Sequence, residues 1–199
     1  MRKDFKTAVA ERRSHYSISK KTSVSDQNIR EVVDHAVKYT PSAFNSQSAR
    51  VVLLLDQEHD KMWDITKESL RKVVPADSFE PTNDKINSFK NGYGTVLYFE
   101  DQSVVEGLQE QFSLYKDNFP VWSQQSSGML QFVVWTALAD EGFGGSLQHY
   151  NELIENDVKS EWNLPDNWKL IAQMPFGHPE SEPGDKEFAP LENRVRVYK

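Results

Sequence analysis

Residues Gly128 to Tyr150 read GMLQFVVWTALADEGFGGSLQHY, and the rest of the chain is organised around them. From Met129 to Ala139 only Gln131 and Thr136 interrupt the apolar run. A helix that is apolar nearly all the way round is normally buried on every side, so the stretch predicts the central pillar of a domain. Asp140 and Glu141 then lead to Gly142, the residue type that ends helices in the left-handed cap conformation. Gly144 and Gly145 leave the next backbone amides uncovered, so the pillar is expected to deliver a bare turn to a site.

Outward from the pillar, helical and extended patterns alternate. Phe5, Ala8, Val9 and Arg12 fall at helical spacing and predict a helix over residues 2–13, closed by Arg12, Arg13 and Ser14. Ser25 is an N-cap for a second helix carrying Ile29, Val32, Val33, Ala36 and Val37, which stops before Pro41. The segment PSAFNSQSA, residues 41–49, runs into Val51 to Leu55, which reads as a buried strand. A helix is expected over 60–73, then a loop marked by Pro75 and Pro81. A strand from Thr95 to Phe99 follows, and a helix through Val104 and Tyr115 that ends near Phe119 and Pro120. Beyond the pillar come a helix over 151–160, a strand from Lys169 to Met174, and an alternating tail, Arg194 to Tyr198, of the half-buried strand type. With no repeat or linker, residues 1–199 form one domain, expected as a mixed sheet flanked by helices.

Composition removes several classes of function. The chain has no cysteine, which excludes disulfides, thiolate metal sites and cysteine nucleophiles. Its five histidines (His15, His35, His59, His149 and His178) lack metal-ligand spacing, and no GxSxG, GxGxxG or P-loop pattern occurs. A formal net charge of −7 argues against a nucleic-acid or membrane-surface partner. The first residues lack the apolar core of a secretory signal, and the longest apolar runs are too short to cross a bilayer, so a cytoplasmic protein is expected.

In the absence of a glycine-rich cradle, side chains must hold any phosphate. Arg12 and Arg13 with Ser14, joined by Arg194 from the other end of the chain, would form such a clamp; the alternative is that the arginines only cap the first helix. Asn45 and Gln47 carry the paired donors and acceptors that read an amide-like heterocycle edge, or else form a turn that starts the following strand. His149 is a candidate acid or base against the ordinary reading of a hydrogen-bonded structural histidine.

Taken together, ERRS near the start, PSAFNSQSARVVLL and WTALADEGFGGSLQHYN resemble the flavin-dependent nitroreductase family, in particular its short branch with the GFGGSLQHY-type turn. The resemblance implies an α+β fold with a helix-flanked mixed or antiparallel sheet, a long buried central helix, and an intertwined homodimer binding FMN at the subunit interface. By that resemblance Arg12, Arg13, Ser14 and Arg194 hold the phosphate and ribityl chain. Ser42, Asn45 and Gln47 approach the flavin, from the partner subunit if the family arrangement holds, and Leu147, Gln148 and His149 lie along its ring. Phe44, Tyr115, Phe119 and Trp122 are expected among the acceptor-pocket aromatics, with core packing the competing role. The chain departs from the family in having Ser17 near the usual lysine, and only Lys85, Asn87 or Lys90 stand near the usual pyrimidine contacts.

The implied activity is an NAD(P)H-dependent FMN oxidoreductase that reduces nitroaromatic or quinone acceptors by ping-pong hydride transfer, with a role in stress defence. The cofactor carries the chemistry, so no catalytic side chain and no metal are expected. The alternative is a non-catalytic FMN-binding or regulatory protein on the same scaffold, and a third reading is an interaction domain without cofactor.

Overall fold

The β-branched and aromatic runs pair into one sheet in the computed structural model, which describes residues 3–199. Its principal strands are β2 (Ala49–Leu55), β3 (Gly94–Asp101) and β5 (Trp168–Pro179), joined by the short β1 (Ile18–Ser19) and β4 (Gly144–Gly145). The order is β1-β5-β3-β2, with β4 also on β5, and every ladder is antiparallel. Among the described residues the one parallel pairing is the bridge between Ser14 and Gly145, so the mixed sheet expected from strand spacing is an antiparallel one.

Helices cover both faces. On one side α2 (Asp26–Tyr39) and α6 (Phe119–Asp140) pack Ile29, Val33, Leu130, Val134 and Leu138 against Val96, Tyr98, Met174 and Phe176. On the other, α3 (Asp56–Arg71) and α7 (Asn151–Glu161) bring Met62, Ile154 and Val158 onto Leu97, Phe99 and Leu170. Strand β3 is therefore buried at every position. The helix α4 (Glu80–Lys90) closes a third cluster of Trp63, Phe79, Ile86 and Phe89 against α3.

Several expectations change. The first helix, α1, spans only Phe5–Glu11, with Asp4 as its N-cap; the expected start at residue 2 lies outside the described residues. Ser25 caps α2 as predicted, accepting from the Asn28 amide. Pro81 and Pro120, read as breakers, each sit in the first turn of a helix, α4 and α6, where the missing N–H costs nothing. The helix α5 (Gln102–Gln111) accordingly ends early, and a 3-10 stretch, Ser113–Asn118, leads into α6.

The pillar α6 is 22 residues long and is buried on the sheet side only: Val121, Met129, Phe132 and Val133 are exposed on the single chain. Strand β2 is an edge strand, half-buried apart from Leu54. The tail expected as a strand forms none, and Val195, Val197 and Tyr198 stand in solvent. Among the described residues no helix is long and apolar enough to cross a membrane.

Candidate functional site

The exit of α6 is built as predicted up to Gly142, which takes the left-handed cap at φ 94°. The glycines after it have a different role from the one expected. Gly144 and Gly145 are buried and lie in the sheet as β4. A Cβ on Gly144 would sit 2.7 Å from the His15 side chain, and one on Gly145 would sit 2.9 Å from the Pro175 carbonyl oxygen. They are bare because two neighbouring segments of this chain press on them.

One of those segments is ERRS. The His15 amide donates to the Gly145 carbonyl at 3.0 Å, which completes the Ser14–Gly145 bridge. This docks the arginines beside the exit turn of the pillar. Arg13 donates to the Gly184 carbonyl at 2.6 Å, and a cleft of about 620 Å³ lies between residues 12–17 and residues 181–186. Arg12 does not cap α1 with its side chain. It lies over the Trp135 ring, 4.1 Å from the centroid, with Nε buried and without a hydrogen-bond partner. Burial, and then the neighbouring Arg13 charge, lower its pKa from the usual arginine value. A surplus buried donor beside a second arginine fits an anion such as a phosphate.

Of the turn residues, Gln148 is buried and Leu147 half-buried, while His149 is exposed. The Gln148 amide donates to the Gln173 carbonyl at 2.7 Å and the Gln173 amide returns the bond at 2.9 Å, so this backbone is engaged with β5. The Gln148 side chain donates to Ser146 Oγ at 3.1 Å. Arg194 is exposed in the tail, and within one chain it is not part of the Arg12–Ser14 cleft.

Ser42, Asn45 and Gln47 form a separate cluster. Ser42 Oγ accepts from the Gln47 amide at 3.0 Å, so the expected turn before β2 is present. Phe44, Asn45 and Gln47 all have positive φ, between 49° and 57°, a left-handed conformation uncommon for non-glycine residues. The turn raises Phe44 into an aromatic group: its ring centroid is 5.8 Å from Trp122 in a stacked arrangement, 5.3 Å from Phe119 and 6.1 Å from Tyr115. All four predicted aromatics therefore meet. Phe119 is buried beneath them, while Phe44 and Tyr115 are exposed.

Phe112, 5.0 Å from Phe44, belongs to the same group and was hidden as one more apolar position on a helical stripe. Trp135 was hidden likewise inside the apolar run of α6. Asn87 and Lys90 are engaged by α3, through Lys67 at 2.6 Å and Asp64 at 2.6 Å. Residues Ser42 and Gln47 border a groove of about 920 Å³ over β2, floored by Val33, Val51, Leu53 and Leu130.

The chain is thus a helix-flanked antiparallel α+β fold with its arginine pair docked on the exit turn of its longest helix. The chain belongs to the Nitroreductase family, whose model matches residues 9–178. It is 35% identical over 175 residues to HBN1 of Saccharomyces cerevisiae, covering 88% of this chain and 86% of that protein. The nitroreductase CinD from Lactococcus lactis, solved in complex with chloramphenicol, superposes with a TM-score of 0.91 at 42% identity, over 98% of this chain and 100% of that one. A protein from Desulfovibrio desulfuricans solved in complex with FMN shares the fold at 18% identity, with a TM-score of 0.70 over 100% of this chain and 99% of that one.

Proposed function

We propose that this nitroreductase-family oxidoreductase works as a homodimer that binds FMN, takes hydride from NADH or NADPH, and reduces nitroaromatic or quinone acceptors. The observation that carries the reading is the docking of Arg12, Arg13 and Ser14 on the Gly144–Gly145 strand, with the buried Arg12 Nε unpartnered. The flavin-bound fold neighbour and the CinD complex with chloramphenicol support the cofactor and the acceptor class.

In this reading Arg12 and Arg13 neutralise the phosphate and Ser14 offers a hydroxyl beside it. Leu147 and Gln148 wall the ring. The partner subunit's Ser42, Asn45 and Gln47 complete the site, because within one chain Ser42 and Gln47 border a different cavity from the Arg12–Ser14 cleft. Phe44 and Trp122 supply flat surfaces on which an aromatic acceptor stacks. FMN held by these residues would supply the redox chemistry, hydride acceptance and electron delivery in alternate half-reactions, that the side chains themselves lack. The protein needs no strong acid or base of its own.

The single chain also leaves the surfaces a second copy would cover: the exposed stripe of α6 and the apolar floor beside edge strand β2. In this reading Arg194, exposed in the tail, joins the phosphate across the dimer. The test is anaerobic titration of the purified protein with NADH and with NADPH, followed by addition of a nitroaromatic. Bleaching of the flavin bands and their return with acceptor are expected. Protein that binds FMN but is reduced by neither nucleotide would leave the non-catalytic alternative standing.

A further inference from the structure

Glu100 is fully buried on β3 and has no part in the chemistry described above. Its Oε2 accepts from Ser48 Oγ at 2.6 Å, while Oε1 is buried without a hydrogen-bond partner. By strand alternation it shares a face with Val96 and Tyr98, which pack on α6. The buried residues of α6 beyond Leu130 toward its start are Ser127, Ser126, Ser123 and Phe119. Ser48 in turn follows segment 42–47, which carries the left-handed residues Phe44, Asn45 and Gln47. The same segment is fastened to the end of β3 by two further links. The Asp101 amide donates to the Ser48 carbonyl at 2.9 Å, and Arg50 donates to the Gln47 carbonyl at 2.7 Å and to Asp101 at 2.8 Å.

We infer that Glu100 is a positioning residue: its neutral carboxyl lets segment 42–47, with its left-handed Phe44, Asn45 and Gln47, dock dry on β3 through Ser48, and its ionisation loosens the segment by drawing water to the buried carboxylate. A neutral carboxyl tolerates one hydrogen-bond donor in this setting. A buried carboxylate does not, and relieves its cost by admitting water or by drawing Arg50 away from Gln47. Either change frees Gln47. The charged groups that neighbour Glu100 among the described residues are Arg50 on β2, Asp101 beside it on β3 and the exposed Lys169 opposite on β5, while the buried polar residues of α6, Ser123, Ser126, Ser127 and Gln131, carry no charge. Burial pushes the carboxyl up to about 7, with the Ser48 bond and Arg50 pulling the other way, so release falls near neutral pH. That this release alters acceptor binding rests on the proposed function; the movement of the segment does not.

The test is hydrogen–deuterium exchange of the full-length protein at pH 6 and pH 8, read on peptides covering 42–47 and corrected for intrinsic exchange. Wild type is expected to exchange several-fold faster in this segment at pH 8, with the peptides of α3 and α4 unchanged. Glu100→Gln should remain at the pH 6 level at both pH values, and Ser48→Ala should be fast at both. A Glu100→Gln profile that follows wild type overturns the inference. If that variant does not fold, a Ser48→Ala profile matching wild type overturns it. A parallel assay of acceptor KM separates the two claims: KM should rise from pH 6 to pH 8 in wild type and stay flat in Glu100→Gln. An inactive, flavin-free wild type that keeps the exchange pattern contradicts the proposed function and supports the Glu100 link.

Discussion

At the residue scale, the glycines of the exit turn show how one chemical fact serves two purposes. Bare amides were legible from the sequence, but the reason for the bareness was not, because His15 and Pro175 approach from distant parts of the chain. The Gly145→Ala change places a methyl 2.9 Å from a backbone oxygen that cannot swing aside. It is expected to cost about 1–3 kcal/mol in urea unfolding and to loosen the Ser14 bridge. The arginines were legible as candidates, and their proximity to the turn followed only from the parallel bridge. His149 moved the other way. It is exposed, and its neighbour Gln148 carries the backbone pairing.

At the element scale, the packing of α3 and α4 on β3 turns on His59, which is fully buried. Nδ1 lies 2.8 Å from Thr95 Oγ1 and Nε2 lies 3.1 Å from the Lys90 carbonyl, while Trp63 donates to the same Thr95 oxygen at 2.9 Å. With Nε2 protonated, a neutral ring satisfies every partner. Burial lowers its pKa to about 4 from 6.5, so the unfolded chain takes up a proton first as pH falls. Its contribution to stability is therefore fully present above pH 6.5 and is lost as pH falls toward 4, on the order of 3 kcal/mol in all. The raised Glu100 carboxyl works in the opposite sense over the same range in both proteins, so the test is the difference: the urea midpoint of wild type should drop, as pH falls from 6.5 to 4, relative to that of a His59→Gln variant that folds. The elements themselves were legible wherever apolar periodicity was long, as in α2 and β3. Pro81 and Pro120 are ambiguous in the sequence for one reason: a proline in the first turn starts a helix as readily as one beyond the last turn ends it.

At the scale of the whole molecule, the features that a sequence cannot divide between one chain and two are the ones left exposed. The apolar run of α6 reads as buried on every side, yet Met129, at 43% exposure, and Phe132, at 37%, face solvent in the single chain. The proposed homodimer would cover these residues. The Met129→Glu, Phe132→Glu double variant is predicted to run as a monomer of 22.9 kDa in light scattering, where wild type has twice that mass. The candidate site divides along the same line, with Arg12, Arg13 and Ser14 in one cleft and Ser42 and Gln47 at another. The central claim is that the arginine segment docked on the exit turn holds FMN, and calorimetric titration of FMN into flavin-stripped protein tests it most directly. Saturation at one FMN per chain, with affinity falling by at least about tenfold in Arg13→Ala, is the predicted result. Absence of binding, or an Arg13→Ala variant that binds as tightly as wild type, would contradict it.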